Sequence, residues 1–167
     1  MKLLQKLLFV GLLMLTSMVQ ATSLSDYMEN KLVDVVFRNT AFSESSPASY
    51  YVALYSSACS DSAGGTELSG SSYARVGVTR ATTSWTGTHG TTTGASSGTN
   101  GTVGNAAAIT FPAATGDWTA ATYWGIIDTS SGAGNLIVCA ALTSPRTVTN
   151  GSTASFGIGA LTIQMDN

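Results

Sequence analysis

The chain has 167 residues, a formal net charge of −2 and 10% charged residues, well under the quarter or so usual in globular proteins. That length fits one domain with an ordinary core, and seven basic residues are too few for the electrostatic footprint of a nucleic-acid binder. An apolar share of 44% with three Trp, six Tyr and five Phe supplies material for a core and excludes a disordered chain.

Residues 1–21 stand apart. Lys2 and Lys6 precede the apolar run Leu7-Leu8-Phe9-Val10-Gly11-Leu12-Leu13-Met14-Leu15, and Val19-Gln20-Ala21 places small residues at positions minus three and minus one. A charged start, a short apolar stretch and a cleavable end form the anatomy of a secretory signal peptide. The run is shorter than the roughly 20 residues that cross a bilayer. A true start at Met18 is the competing reading. Cleavage after Ala21 removes two positive charges from the net −2, leaving −4 on a single domain of residues 22–167.

One helix is expected, at about residues 24–38. Ser23 with Asp26 three residues on resembles a capping box, and Leu24, Tyr27, Met28, Leu32, Val35 and Val36 recur with helical spacing. Glu29, Lys31, Asp34 and Arg38 occupy the other face. The stripe Leu24, Met28, Leu32 and Val35 is the candidate interface, and periodicity leaves open whether it packs on its own domain or on a partner subunit.

After Pro47 the chain reads as β. Residues 50–55 are aromatic and β-branched, 73–79 alternate, 108–111 end at a proline, and 123–128 and 136–142 are bounded by Gly/Ser turns. Residues 146–149 and 152–156 flank Asn150-Gly151, the signal for a type I′ hairpin, and 161–165 alternate again. Period-two alternation predicts that either Tyr51, Ala53 and Tyr55 or Tyr50, Val52 and Leu54 face the interior with Phe111, Ile126, Leu136 and Ile163. Seven or eight short strands imply an antiparallel β-sandwich or jelly-roll-like domain preceded by one N-terminal α-helix. Residues 80–106, mostly Thr, Gly and Ser, are either a long loop or an extended hairpin. The loop reading, with a strand at 81–85, is adopted here.

Chemistry-bearing patterns are sparse. The single histidine, His89, lies in the Thr/Gly stretch and is read as a solvated loop residue. Asp117 and Asp128 are read as turn residues rather than paired acids. The loop at Asp61 lacks the carboxylate density of a calcium site. Cys59 and Cys139 form either a disulfide or two independent residues, the latter being the simpler reading. Asn100-Gly101-Thr102 and Asn150-Gly151-Ser152 are turns before they are glycan acceptors. The expectation is no catalytic residue, no metal and no cofactor.

Several blocks taken in order carry a resemblance. They are Leu24-Ser25-Asp26-Tyr27 with Val36-Phe37-Arg38-Asn39-Thr40; Tyr51-Val52-Ala53-Leu54-Tyr55; Glu67-Leu68-Ser69-Gly70 with Tyr73-Ala74-Arg75; Ile109-Thr110-Phe111-Pro112; Gly125-Ile126-Ile127-Asp128; and Thr147-Val148-Thr149-Asn150-Gly151. The set, from about Leu24 to the C-terminus, resembles the small virion structural proteins of tailed bacteriophages, of the tail-fibre or head-decoration type. The resemblance implies a non-enzymatic, homo-oligomeric β-rich subunit that assembles with its own copies and other virion proteins. It implies a place in the virion, or outside the cell if the leader acts in export. A host-surface glycan is a further candidate partner; nucleic acid is not. Two rivals share the composition: a secreted carbohydrate-binding module using Trp85, Trp118 or Trp124 as a stacking platform, and an extracellular filament or surface-layer subunit. Against the first, Trp124 is expected in a buried strand and Trp118 in a turn.

Overall fold

The computed structural model describes residues 12–15, 24–41, 48–88, 90–92, 94–99 and 101–165. In chain order they form β1 (Leu12–Leu15), α1 (Asp26–Phe37), β2 (Ser49–Tyr55), β3 (Val76–Thr79), β4 (Thr102–Gly104), β5 (Ile109–Thr110), β6 (Ala121–Ile127), β7 (Leu136–Arg146), β8 (Thr153–Phe156) and β9 (Thr162–Gln164). The protein is mainly β, with antiparallel sheets and one helix near the N-terminus, as its alternating segments require.

A four-stranded antiparallel sheet runs in the order β3-β2-β6-β7, a second sheet in the order β1-β8-β5, and β4 pairs with β9 as a separate ribbon. The two larger sheets meet across aromatic rings. Trp124 on β6 stands edge-on to Phe156 on β8 at 6.4 Å, and Phe156, Phe111, Trp118 and Tyr73 continue the row at 5.3–6.5 Å. Offset and edge-to-face geometries are favoured because the positive ring edge meets a negative ring face.

Register decides which residues face this core. Val52 lies opposite Ile126 and Leu54 opposite Trp124, so the set Tyr50, Val52 and Leu54 points inward with Phe111, Ile126 and Ile163. The other set is not solvated. Ala53 and Tyr55 are buried on the outer face of the sheet beside Gly125, where an added Cβ would lie 2.8 Å from the Tyr55 ring and 3.2 Å from Leu136. Leu136 therefore belongs to this second, smaller apolar layer and not to the central core expected for it. Residues 56–67 cover the layer, joined to β2 through Ser56 N–H to Thr66 O (2.8 Å) and Leu68 N–H to Leu54 O (3.0 Å).

Cys139 lies opposite Gly125, on the same outer face, and bonds Cys59 of the covering loop with a Cα–Cα distance of 6.5 Å. The reading of two independent cysteines is thus corrected. Two sites 80 residues apart meet because strand parity turns Cys139 outward under that loop.

Further expectations shift. The helix cap is Ser25 rather than Ser23, which lies outside the described residues; the Ser25 hydroxyl accepts from Met28 N–H at 3.2 Å. Residues 81–85 form turns with one isolated bridge, Trp85 to Asn105, instead of a strand. Residues 80–106 are thus largely loop, but they end in β4, which the Thr/Gly composition concealed. Asn150-Gly151 makes a turn closed by Ser152 N–H to Thr149 O, yet only Gly151 has positive φ, so it is not type I′. Its arms do not pair with each other. Trp118 N–H donates to Val148 O, Gly151 N–H to Ala114 O, and β8 pairs with β5 and β1. The turn bends the chain from one sheet to the other.

Of the signal-like segment, Leu12–Leu15 is described as β1. It runs parallel to β8 with Leu12 opposite Thr153 and Leu15 opposite Phe156, a departure from the otherwise antiparallel pairing.

Candidate functional site

The helix stripe singled out from sequence is divided by the fold. Leu24 is half-buried and bridges to Val138, Met28 packs on the core, and Leu32 and Val35 are 37% and 39% exposed. The cause is anchoring at the N-terminal end. Ser25 donates its N–H to Ile137 O (3.1 Å) and its hydroxyl to Leu136 O, while Asp26 N–H donates to Asp61 O at 3.0 Å. The distal half leaves Val33, Val36 and Phe37 in solvent, Phe37 at 81% exposure. Sequence reading missed the Val33 and Phe37 row because the cue, apolar residues at i, i+3 and i+4, runs beside the stripe Leu24, Met28, Leu32 and Val35 already singled out as the candidate interface.

Met28 also lines a pocket of about 430 Å³, within the range of small-ligand sites. Ile126 and Ile137 belong to the four-stranded sheet, Val103 and Ile163 to the β4–β9 ribbon, and Trp85 and Thr92 to the loop between β3 and β4. Arg80 lies at its wall with the guanidinium 4.8 Å from the Tyr50 ring centroid, a cation–π distance. Asn105 holds the loop in place. Its buried side chain donates to Ala107 O and Gly157 O and accepts from Leu161 N–H, at 2.7–2.9 Å. No spacing rule marks such a residue. Trp118 and Trp124 are fully packed, and the Trp118 indole donates to Ser71 O at 3.0 Å. Of the three tryptophans proposed as a stacking platform, Trp85 lines this pocket.

The densest polar cluster is Glu67, Tyr73 and Arg75. Arg75 forks onto both Glu67 oxygens at 2.8 and 2.7 Å and also donates to Thr129 O and Gly132 O. Tyr73 donates to Glu67 and accepts from Leu54 N–H. A bidentate, charge-assisted pair of this kind is a strong local tie. It locks the covering loop to the β6–β7 turn, and every one of these groups is already committed to a structural partner.

Burial, with help from the Glu67 charge, pushes the Tyr55 phenol up to about 12, and the same causes raise Tyr73 further. The native state therefore holds a proton that the unfolded chain releases near pH 10. These two groups leave stability unchanged from pH 8 to about pH 10 and lower it by roughly 1.4 kcal/mol per pH unit per group from there to pH 12. Urea unfolding at pH 8, 10 and 11 checks this, and Tyr55→Phe should flatten the slope. An unchanged midpoint from pH 8 to 11 would contradict the assignment.

Two further carboxylates, the pair considered from sequence, close turns. Asp117 accepts from Asn150 N–H at 2.8 Å, and Asp128 accepts from the Asn135 backbone and side chain at 2.7 Å. No group of three or more His, Cys, Asp or Glu among the described residues is placed to hold a metal. His89 and Asn100 lie outside the described residues.

Comparison with known proteins adds one finding. A family model described as "Podophage GP4 fiber I protein gp80" matches residues 23–164, from the end of the signal-like segment through β9. No curated protein matches the chain.

Proposed function

Because this chain belongs to the podophage fibre I protein family, a family of virion structural proteins, we propose that it works as a non-enzymatic fibre subunit that associates through the outer half of α1. The observation carrying this reading is the exposed run Leu32, Val33, Val35, Val36 and Phe37 on a helix anchored at its other end. Large apolar side chains grouped on one surface mark an interaction site, and each one buried contributes about 1.5–3 kcal/mol. Other copies of the chain and other virion proteins are the partners. A head-decoration position shares the same physics.

The sugar-binding rival retreats to Trp85, since Trp118 and Trp124 are spent in the core. Export through residues 1–21 remains part of the proposal. Cleavage after Ala21 takes β1 away and leaves β8 hydrogen-bonded to β5 alone.

Light scattering over a wide concentration range tests the reading. Wild type is expected to associate, and Leu32→Glu to remain folded while shifting toward monomer. A wild type that stays monomeric throughout, or a Leu32→Glu variant that unfolds, overturns it.

A further inference from the structure

The fibre-subunit reading leaves open what the outer half of α1 packs against, and the chain carries a complementary surface of its own. We propose that Val33, Val36 and Phe37 of one copy seat in the pocket beside Met28 of a second copy. This rests on the self-association reading above and names the receiving site.

Four observations converge. The pocket, at about 430 Å³, exceeds the volume of a phenylalanine and a valine side chain together, and its walls are mostly apolar: Met28, Tyr50, Trp85, Ile126, Ile137 and Ile163. Its rim continues into apolar surface at the lining residue Met165, which is 56% exposed. Phe37 is too far from it to serve its own copy. It lies nine residues beyond Met28, about 14 Å along the helix at 1.5 Å per residue, and it is 81% exposed. Charge agrees as well. Arg80 is the charged residue of the pocket wall, whereas α1 with its C-cap carries Asp26, Glu29 and Asp34 against Lys31 and Arg38. Asp34, one turn before Phe37, already pairs with Arg38 at 3.4 Å, so the helix meets Arg80 with its net charge of −1 (three acids against two bases) rather than with a free acid.

A saccharide is the weaker occupant. The pocket's polar side chains are threonine and serine hydroxyls with the one guanidinium of Arg80, and its lining among the described residues holds no carboxylate or amide side chain to accept and donate bidentately to sugar hydroxyls. A knob and a socket on the same chain also give each copy one of each. Such a contact closes as a symmetric pair, closes as a ring when the rotation between copies allows it, or continues from copy to copy as a filament.

The test uses the full chain and two variants at exposed positions, Phe37→Glu on the knob and Thr82→Arg at the pocket, each checked for an unchanged melting temperature. Both are expected to weaken association at least tenfold in light scattering. In parallel, Arg38→Cys and Thr82→Cys single variants, which keep Phe37, are mixed and treated with a short bis-maleimide. The expected product is a covalent pair containing one of each variant. If Phe37→Glu dissociates the assembly while Thr82→Arg associates like wild type and no mixed pair forms, the pocket is not the receiving site although self-assembly through α1 stands. If wild type is monomeric at all concentrations and simple sugars saturably quench Trp85 fluorescence, both the inference and the reading beneath it fall.

Discussion

Trp124→Ala is expected to cost about 3–5 kcal/mol, the range for truncating a buried Trp or Phe, and so to consume a large part of a domain's 5–15 kcal/mol. Trp124 is fully buried on β6, opposite Leu54 on one side and Ala140 on the other, with Phe156 at 6.4 Å from the facing sheet. Removing it opens a cavity where the two sheets meet, and strands held on both edges are poorly placed to collapse into it. A second variant isolates the cause. The Trp124 indole N–H makes no hydrogen bond among the described residues, so Trp124→Phe forfeits volume but no polar partner there and should lose only about 1–2 kcal/mol, near the cost of a modest core deletion. Chemical denaturation of both variants reads the difference. Equal losses would mean that the indole nitrogen has a partner, and negligible loss for Trp124→Ala would remove Trp124 from the core.

Loss of the Cys59–Cys139 bond is expected to be the second large effect. Closing a loop between residues 80 apart restricts the unfolded chain, and bonds of this span contribute about 2–5 kcal/mol. The double variant Cys59→Ser, Cys139→Ser should therefore melt roughly 10 °C lower, taking about 2–4 °C per kcal/mol for a domain of this size. The damage should be local before it is global. With Cys59 released, the covering loop is held by the Arg75–Glu67 fork and by Ser56 and Leu68, so hydrogen exchange at Ser56 N–H and Leu68 N–H should accelerate first. A reduced protein that melts with the oxidised one would show that the bond adds nothing to this fold.

The two surfaces that carry the functional proposals differ in how far they could be foreseen. The helix was legible because its apolar spacing is local, and so was the family, from blocks such as Tyr51-Val52-Ala53-Leu54-Tyr55 and Tyr73-Ala74-Arg75. The structure supplies the reason for one of those blocks: Tyr73 and Arg75 converge on Glu67. The exposed end of α1 was not separable from its buried end, since Leu32 and Met28 share one stripe and only the anchoring at Ser25 decides which of them meets the core.

Period-two alternation, turn residues and local apolar spacing thus determined by themselves a β-rich fold, most of its strands and the helix near its N-terminus. Tertiary structure decided the rest. Alternation says that Val52 and Tyr55 point to opposite faces, but not that both faces are covered, because cover comes from residues 56–67 folding back. It says that Cys139 alternates with Val138, but not that Cys59 waits above it. Asn150-Gly151 marks a turn, while its type and the destination of its arms depend on Asp117 and Ala114, more than 30 residues away. The pocket beside Met28 gathers side chains from a helix, a sheet, a ribbon and a loop. Local energetics are written in neighbouring residues, whereas cavities, pairings and disulfides are made by contacts between segments whose separation along the chain carries no trace of their distance in space.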